Sequence, residues 1–171
     1  WSHLNGQSKE TIAAMWSKYV FEGDFCAEFY AGMRHGWYKR VGDLNLTVMN
    51  RSDTPGSGYT VTCTGWDFNH SQLLTRLYRN GKVVVETDEY ALPRLRAGNR
   101  RKLRHEILSG GRDVHGAWYY IKLRRIGKRL EYYLDNELLF AWEDDKPIDL
   151  GSMGVWTYRN SMVVARVKIA A

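Results

Sequence analysis

Apolar side chains recur at every second residue along most of this chain. Phe25, Ala27, Phe29 and Ala31 fall on one side of a segment whose other side carries Cys26, Glu28 and Tyr30. Successive side chains of a β-strand point to opposite faces, so this pattern predicts a strand with one face buried. Leu44, Leu46 and Val48 alternate with Asn45, Thr47 and Met49. Residues 59–64 alternate with threonine, a β-branched residue that suits a pleated surface. Residues 73–79 and 83–86 flank Asn80-Gly81, a strong hairpin signal. Residues 118–125 and 130–134 flank Ile126-Gly127-Lys128, and residues 138–142 follow Asp135-Asn136. Residues 154–158 and 162–169 close the pattern. About eleven or twelve short strands at roughly 8–12-residue spacing predict an antiparallel sandwich or barrel. Helix–strand alternation is absent, which excludes a parallel α/β sheet. Residues 8–16 are the single helical candidate, and residues 50–58 and 93–104 read as loops.

Composition narrows this further. With 171 residues, 44% of them hydrophobic, the chain reads as one domain over residues 1–171 with a normal core, which excludes disorder. No apolar run reaches the ~18 residues of a membrane span. The sequence opens on Trp rather than Met. The expectation is therefore a mature or excised piece of a longer, extracytoplasmic protein. A net charge of +6 points toward anionic partners. Cys26 and Cys63 can pair only if the fold brings their Cβ atoms within about 4 Å. Without a CxxC, and with His3, His35, His70, His105 and His115 scattered, no zinc-site spacing is present.

Several segments carry a resemblance. Glu22-Gly-Asp-Phe-Cys-Ala-Glu-Phe29 resembles the strand that opens concanavalin A-like lectin/glucanase domains. Trp118-Tyr-Tyr-Ile-Lys-Leu123, Gly127 and Leu130-Glu-Tyr-Tyr-Leu-Asp-Asn136 resemble a hairpin of that superfamily. Asp144, Pro147, Gly151 and Gly154-Val-Trp-Thr resemble the run that follows it, and residues 160–169 its closing strand. The resemblance is good over 117–169, fair over 20–50 and poor between. It implies an all-β, two-sheet antiparallel jelly-roll sandwich, concanavalin A-like, of a kind found in uncharacterised extracellular bacterial proteins. It also implies a structural calcium as the cofactor to test, with Asp144, Asp145 and Asp149 as oxygen donors, although no EF-hand-like spacing is present. The matching motifs are turn glycines, hairpin residues and core alternation, so they specify fold more than function.

Glucanases of that superfamily carry a Glu-x-Asp-x-(x)-Glu strand that sets its carboxylates on one face. This chain lacks it. The catalytic candidates that remain are Glu28 and Glu131, a cross-strand pair. Tyr30, Lys122, Arg124, Tyr133 and Arg166 share their side by the same counting. Sugar recognition needs flat aromatic faces beside fixed polar groups. Loop-borne candidates are Trp37 with Tyr38, Trp66 with Asn69 and His70, and Trp156 with Tyr158 and Arg159. Trp16, Trp118 and Trp142 read as core.

Arg94, Arg96, Arg100, Arg101, Lys102 and Arg104 suit carboxylate or sulfate groups through bidentate contacts. No DNA- or RNA-binding signature accompanies them, so nucleic acid is not the expected partner. Residues 101–106 bear a partial likeness to an alginate-lyase strand, with His115 and Tyr119 as base and acid. Asn45, Asn50 and Asn69 begin glycosylation sequons. The function expected is a non-catalytic carbohydrate-binding module, with an acidic polysaccharide as partner. The alternatives are a glycoside hydrolase or polysaccharide lyase with an atypical site, and a structural or protein-interaction domain.

Overall fold

The computed structural model describes residues 2–5, 12–33, 44–63, 74–87, 118–158 and 161–171. Among these residues there is no helix, and thirteen strands form two antiparallel sheets. In chain order they are β1 (Ser2–Asn5), β2 (Ile12–Trp16), β3 (Phe21–Glu22), β4 (Phe25–Met33), β5 (Asn45–Asn50), β6 (Tyr59–Thr62), β7 (Thr75–Arg79), β8 (Lys82–Thr87), β9 (Trp118–Ile126), β10 (Arg129–Leu134), β11 (Glu137–Glu143), β12 (Leu150–Tyr158) and β13 (Ser161–Ala170). A six-stranded sheet runs β1-β13-β4-β9-β10-β11. A seven-stranded sheet runs β2-β12-β5-β6-β7-β8, with β3 beside β12. This is the expected jelly-roll sandwich.

Period two decides what faces the core. From the six-stranded sheet Phe25, Phe29, Ile121, Leu123, Leu130 and Tyr132 point inward. From the other sheet Leu46, Val48, Tyr59, Val61, Leu77 and Val155 meet them. Each large side chain so buried contributes roughly 1.5–3 kcal/mol. The predicted helix over 8–16 is corrected where it is described. Ile12–Trp16 is the strand β2, paired along β12 from Gly154↔Trp16 to Tyr158↔Ile12. Pairing to a neighbouring strand overrides a weak local helical preference.

Two turns fix registers. Asn80-Gly81, both at positive φ (47° and 77°), joins β7 to β8. Asp135-Asn136 (51° and 68°) joins β10 to β11. Two-residue loops with both φ positive match the natural twist of a hairpin. Neither Cys26 nor Cys63 is in a disulfide. Cys26 lies on the outer side of β4, while Cys63 is buried in the core, so they do not share a surface.

One end of the sandwich is locked by polar side chains. The Tyr59 hydroxyl donates to Asp144 Oδ2 at 2.6 Å and accepts from the Ile148 amide at 2.8 Å. Arg79 Nε donates to the same Asp144 oxygen at 2.7 Å. Arg125, on an inward position of β9 and only 2% exposed, reaches Asp149 at 2.6 Å. These contacts bind the 144–149 connection to both sheets.

Candidate functional site

The outer face of the seven-stranded sheet holds a cavity of about 270 Å³. Thr60, Thr62, Tyr78 and Trp156 line it from the strands, and Pro55, Gly56 and Gly81 from the rim. The hairpin registers Thr60 against Tyr78 and Thr62 against Arg76, which sets these outward side chains next to each other. The rim is fixed by reciprocal bonds between two loops. Asn80 Oδ1 accepts from the Gly58 amide at 3.0 Å, and the Asn80 amide donates to the Gly58 carbonyl at 2.9 Å. Gly58 has φ +72°, and a Cβ there would lie 2.3 Å from the Val48 carbonyl oxygen, so only glycine fits.

The cavity floor is a row of hydroxyls. Trp156 Nε1 donates to Thr47 Oγ1 at 2.9 Å, and Thr47 Oγ1 lies 2.9 Å from Thr60 Oγ1. An indole N–H donates only, so Thr47 accepts there, and either hydroxyl can give the proton of the Thr47–Thr60 bond. Thr62 Oγ1 is buried and makes no hydrogen bond, on a residue 2% exposed that lines the same cavity. A buried hydroxyl without a partner costs about 1–3 kcal/mol, which a ligand hydroxyl in the cavity recovers. Beside the cavity Arg76 Nε pairs with Glu86 Oε2 at 2.5 Å, so the sheet face flanking it is polar.

The sequence candidates divide between the two sheets. Trp156 and Tyr158 belong to this face, but on the strand β12 rather than on a loop, and Trp156 is 2% exposed. Trp37, Tyr38, Trp66, Asn69, His70, Arg159, His115 and the Arg94–Arg104 cluster lie outside the described residues. Glu28, Tyr30, Arg124, Glu131 and Tyr133 come together on the outer face of the six-stranded sheet, as the alternation predicts. Tyr120 donates a short hydrogen bond to Glu28 Oε2, and Lys168 lies 3.5 Å from the other carboxylate oxygen. Glu131 accepts from Arg124 at 2.5 Å, Arg129 at 2.9 Å and Tyr133 at 2.7 Å. Those donors, Tyr133 foremost, pull its carboxyl from the ordinary 4.5 down to about 2. The Tyr120 hydroxyl likewise lowers Glu28.

These two carboxylates do not form a glycosidase pair. One strand separates β4 from β10, and Glu28 and Glu131 are offset by two residues. Their backbones are therefore about 10 Å apart across the sheet and about 7 Å along it. Paired carboxyls in glycosidases lie about 5–9.5 Å apart, and one needs a raised pKa to give up a proton at neutral pH. Here both are lowered and each is tied to its own donors. Tyr119, the lyase candidate, is 3% exposed in the core. Trp118, expected in the core, is 48% exposed at the start of β9. It begins the outward parity of that strand, as the burial alternation from Trp118 to Ile126 shows.

The implied calcium does not fit its expected ligands. Asp144 is taken by Tyr59, Arg79 and the Lys146 amide, Asp145 by Lys128, and Asp149 by Arg125. Among the described residues no three His, Cys, Asp or Glu side chains group to hold a metal ion. The sequon residues Asn45 and Asn50 are 0% and 2% exposed, so neither presents its amide for glycosylation.

The chain matches no family model and no curated protein sequence. Solved structures share its fold. The carbohydrate-binding module CBM66 from Bacillus subtilis superposes with a TM-score of 0.61 at 18% identity, over 95% of this chain and 84% of that one. This domain shares the two-sheet jelly-roll fold of that module. A Bacillus subtilis protein of unknown function with a galectin-like fold gives 0.62 at 13% identity, covering 98% of this jelly roll and 80% of that chain. The carbohydrate recognition domain of Emp46p in its potassium-bound form gives 0.62 at 12% identity, over 98% and 81%.

The residues that sequence reasoning missed are Tyr78, Thr60 and Thr62. A signal existed in part: the polar face of residues 59–64 is all threonine, while Tyr78 reaches it only through the β6–β7 pairing.

Proposed function

We propose that this domain is a non-catalytic carbohydrate-binding module of an extracytoplasmic protein. The sugar sits in the cavity between Tyr78 and Trp156. The observation that carries the reading is the buried Thr62 hydroxyl, unpaired at the floor of a cavity with aromatic walls. A pyranose offers C–H faces for the aromatic rings and hydroxyls for Thr60 and Thr62. The carbohydrate-binding modules and recognition domains among the fold neighbours support this reading. The net charge of +6 favours an acidic polysaccharide over a neutral one.

The test is a binding screen against neutral, carboxylated and sulfated polysaccharides, reading new reducing ends and unsaturated products in parallel. Binding without product is the expected result. Toward oligosaccharides short enough to fill only that cavity, Tyr78→Ala is expected to weaken binding by about 1–3 kcal/mol, the worth of a stacked ring with its contacts. Product formation would make the domain an enzyme. Absence of any glycan binding would leave a structural or protein-interaction role.

A further inference from the structure

The outer face of the six-stranded sheet is built differently from the cavity on the opposite sheet. Along β9 the outward positions are Trp118, Tyr120, Lys122 and Arg124. Cross-strand pairing sets Gly32 beside Trp118, Tyr30 beside Tyr120 and Tyr133 beside Lys122. Gly32 contributes no side chain opposite Trp118, whose indole is 48% exposed. The Tyr30 and Tyr120 rings lie 5.2 Å apart. Trp118 to Arg124 thus forms an aromatic and cationic strip about 20 Å long at the rise of a strand.

The charges on this strip do not cancel. Lys122, Arg124, Arg129, Arg166 and Lys168 face Glu28, Glu131 and Glu143. The carboxylates are already engaged: Glu28 by Tyr120 and Lys168, Glu131 by Arg124, Arg129 and Tyr133, and Glu143 by Arg129. Among the described residues no carboxylate lies within ion-pair distance of Lys122 or Arg166, though the strand register sets Lys122 opposite Glu28, whose carboxyl it helps to lower. Each rests over an aromatic ring instead. Lys122 Nζ sits 4.3 Å from the Tyr133 centroid, and the Arg166 guanidinium carbon 5.9 Å from that of Tyr30. A cation over a ring face keeps its charge available for an anion.

Arg166 is held there at a cost. Its φ is +52°, and it falls in the register break of β13 between Ala165 and Lys168. A non-glycine residue in this region is strained, and bulges that carry one re-aim a side chain. The strain here delivers a guanidinium onto an exposed tyrosine.

We infer that this face is a second binding surface, for an anionic polysaccharide chain. The chain lies along β9, with a sugar ring on Trp118 and its carboxylate or sulfate groups on Lys122 and Arg166. The surface is on the other sheet from the Tyr78 cavity, and the two sites fail independently. The proposal shares with the first reading only the premise that the partner is a glycan.

The test compares the unmodified domain, the double variant Lys122→Thr/Arg166→Gly, and Tyr78→Ala. Glycine suits the positive φ at 166, so the double variant should melt no lower than the parent. Affinity electrophoresis in polygalacturonate and in dextran sulfate reads carboxylate and sulfate recognition separately. Inorganic polyphosphate is the competitor. The double variant should lose about tenfold or more of its affinity for one of these polysaccharides, with binding weakened by salt, while Tyr78→Ala retains it. Polyphosphate should compete poorly, because it offers no ring to stack on Trp118. The proposal is overturned if the unmodified domain ignores both polysaccharides, if the double variant binds like the parent, or if polyphosphate competes as well as polygalacturonate. Loss in Tyr78→Ala alone would overturn this surface and leave the cavity as the glycan site.

Discussion

Glu131 accepts three hydrogen bonds at once, and its carboxyl is lowered from 4.5 to about 2. Its contribution to stability is full above the unfolded value and is lost as pH falls toward the folded one. Acid therefore weakens the β9–β10 pair between about pH 4.5 and about pH 2. Glu131→Gln should remove part of that dependence, so urea melts at about pH 5 and about pH 3 should differ less for the variant than for the parent. Equal pH losses in both proteins would show that Glu131 is not the titrating group. A steric limit acts at Gly151, where a Cβ would lie 2.1 Å from the Met49 carbonyl carbon. Backbone cannot yield as a flexible side chain does. Gly151→Ala should cost about 3 kcal/mol or more, read as a fall in the denaturation midpoint. The sequence shows Gly151 as one of several turn-like glycines. Its contact with Met49 depends on the β5–β12 pairing and is invisible without it.

At the scale of elements, alternation made most strands legible. β4, β9 and β12–β13 lie close to where the two-residue period puts them, because each buries one face and exposes the other. β2 lies in the stretch that reads as a helical candidate, and its pairing to β12 supplied what local sequence did not. The outward grouping of Glu28, Tyr30, Arg124 and Tyr133 also followed from counting, since β4, β9 and β10 are neighbours. The cavity did not, because it needs β6, β7 and β12 brought together across a crossover. Trp118 misled for a related reason: a tryptophan reads as core until the register assigns its parity. The network of Tyr59 and Arg79 contacts that holds the 144–149 connection spans 65 to 89 residues of sequence, and Arg125 reaches Asp149 across 24. Burial and the Asp144 carboxylate push the Tyr59 hydroxyl up to about 12, so it remains a donor across the physiological range. Tyr59→Phe should destabilise the fold by about 2 kcal/mol by leaving Asp144 and the Ile148 amide each short of a partner. A melting temperature unchanged by that substitution would remove the network from the account.

For the molecule as a whole, the two sheets turn different chemistry outward. One carries a small cavity of aromatic and hydroxyl groups, and the other a cationic aromatic strip. Among the described residues, Glu28 and Glu131 are both lowered and held by their own donors, so neither is poised to donate a proton. Fold likeness at 12–18% identity leaves the ligand to be argued from these side chains. The most direct measurement is a ¹H–¹⁵N spectrum of the labelled domain titrated with neutral, carboxylated and sulfated oligosaccharides. The Trp156 indole N–H, anchored on Thr47, and the amides of Thr60, Thr62 and Tyr78 should shift together and saturably with at least one sugar. Saturable glycan binding that leaves all four signals unmoved would contradict the cavity as the binding site.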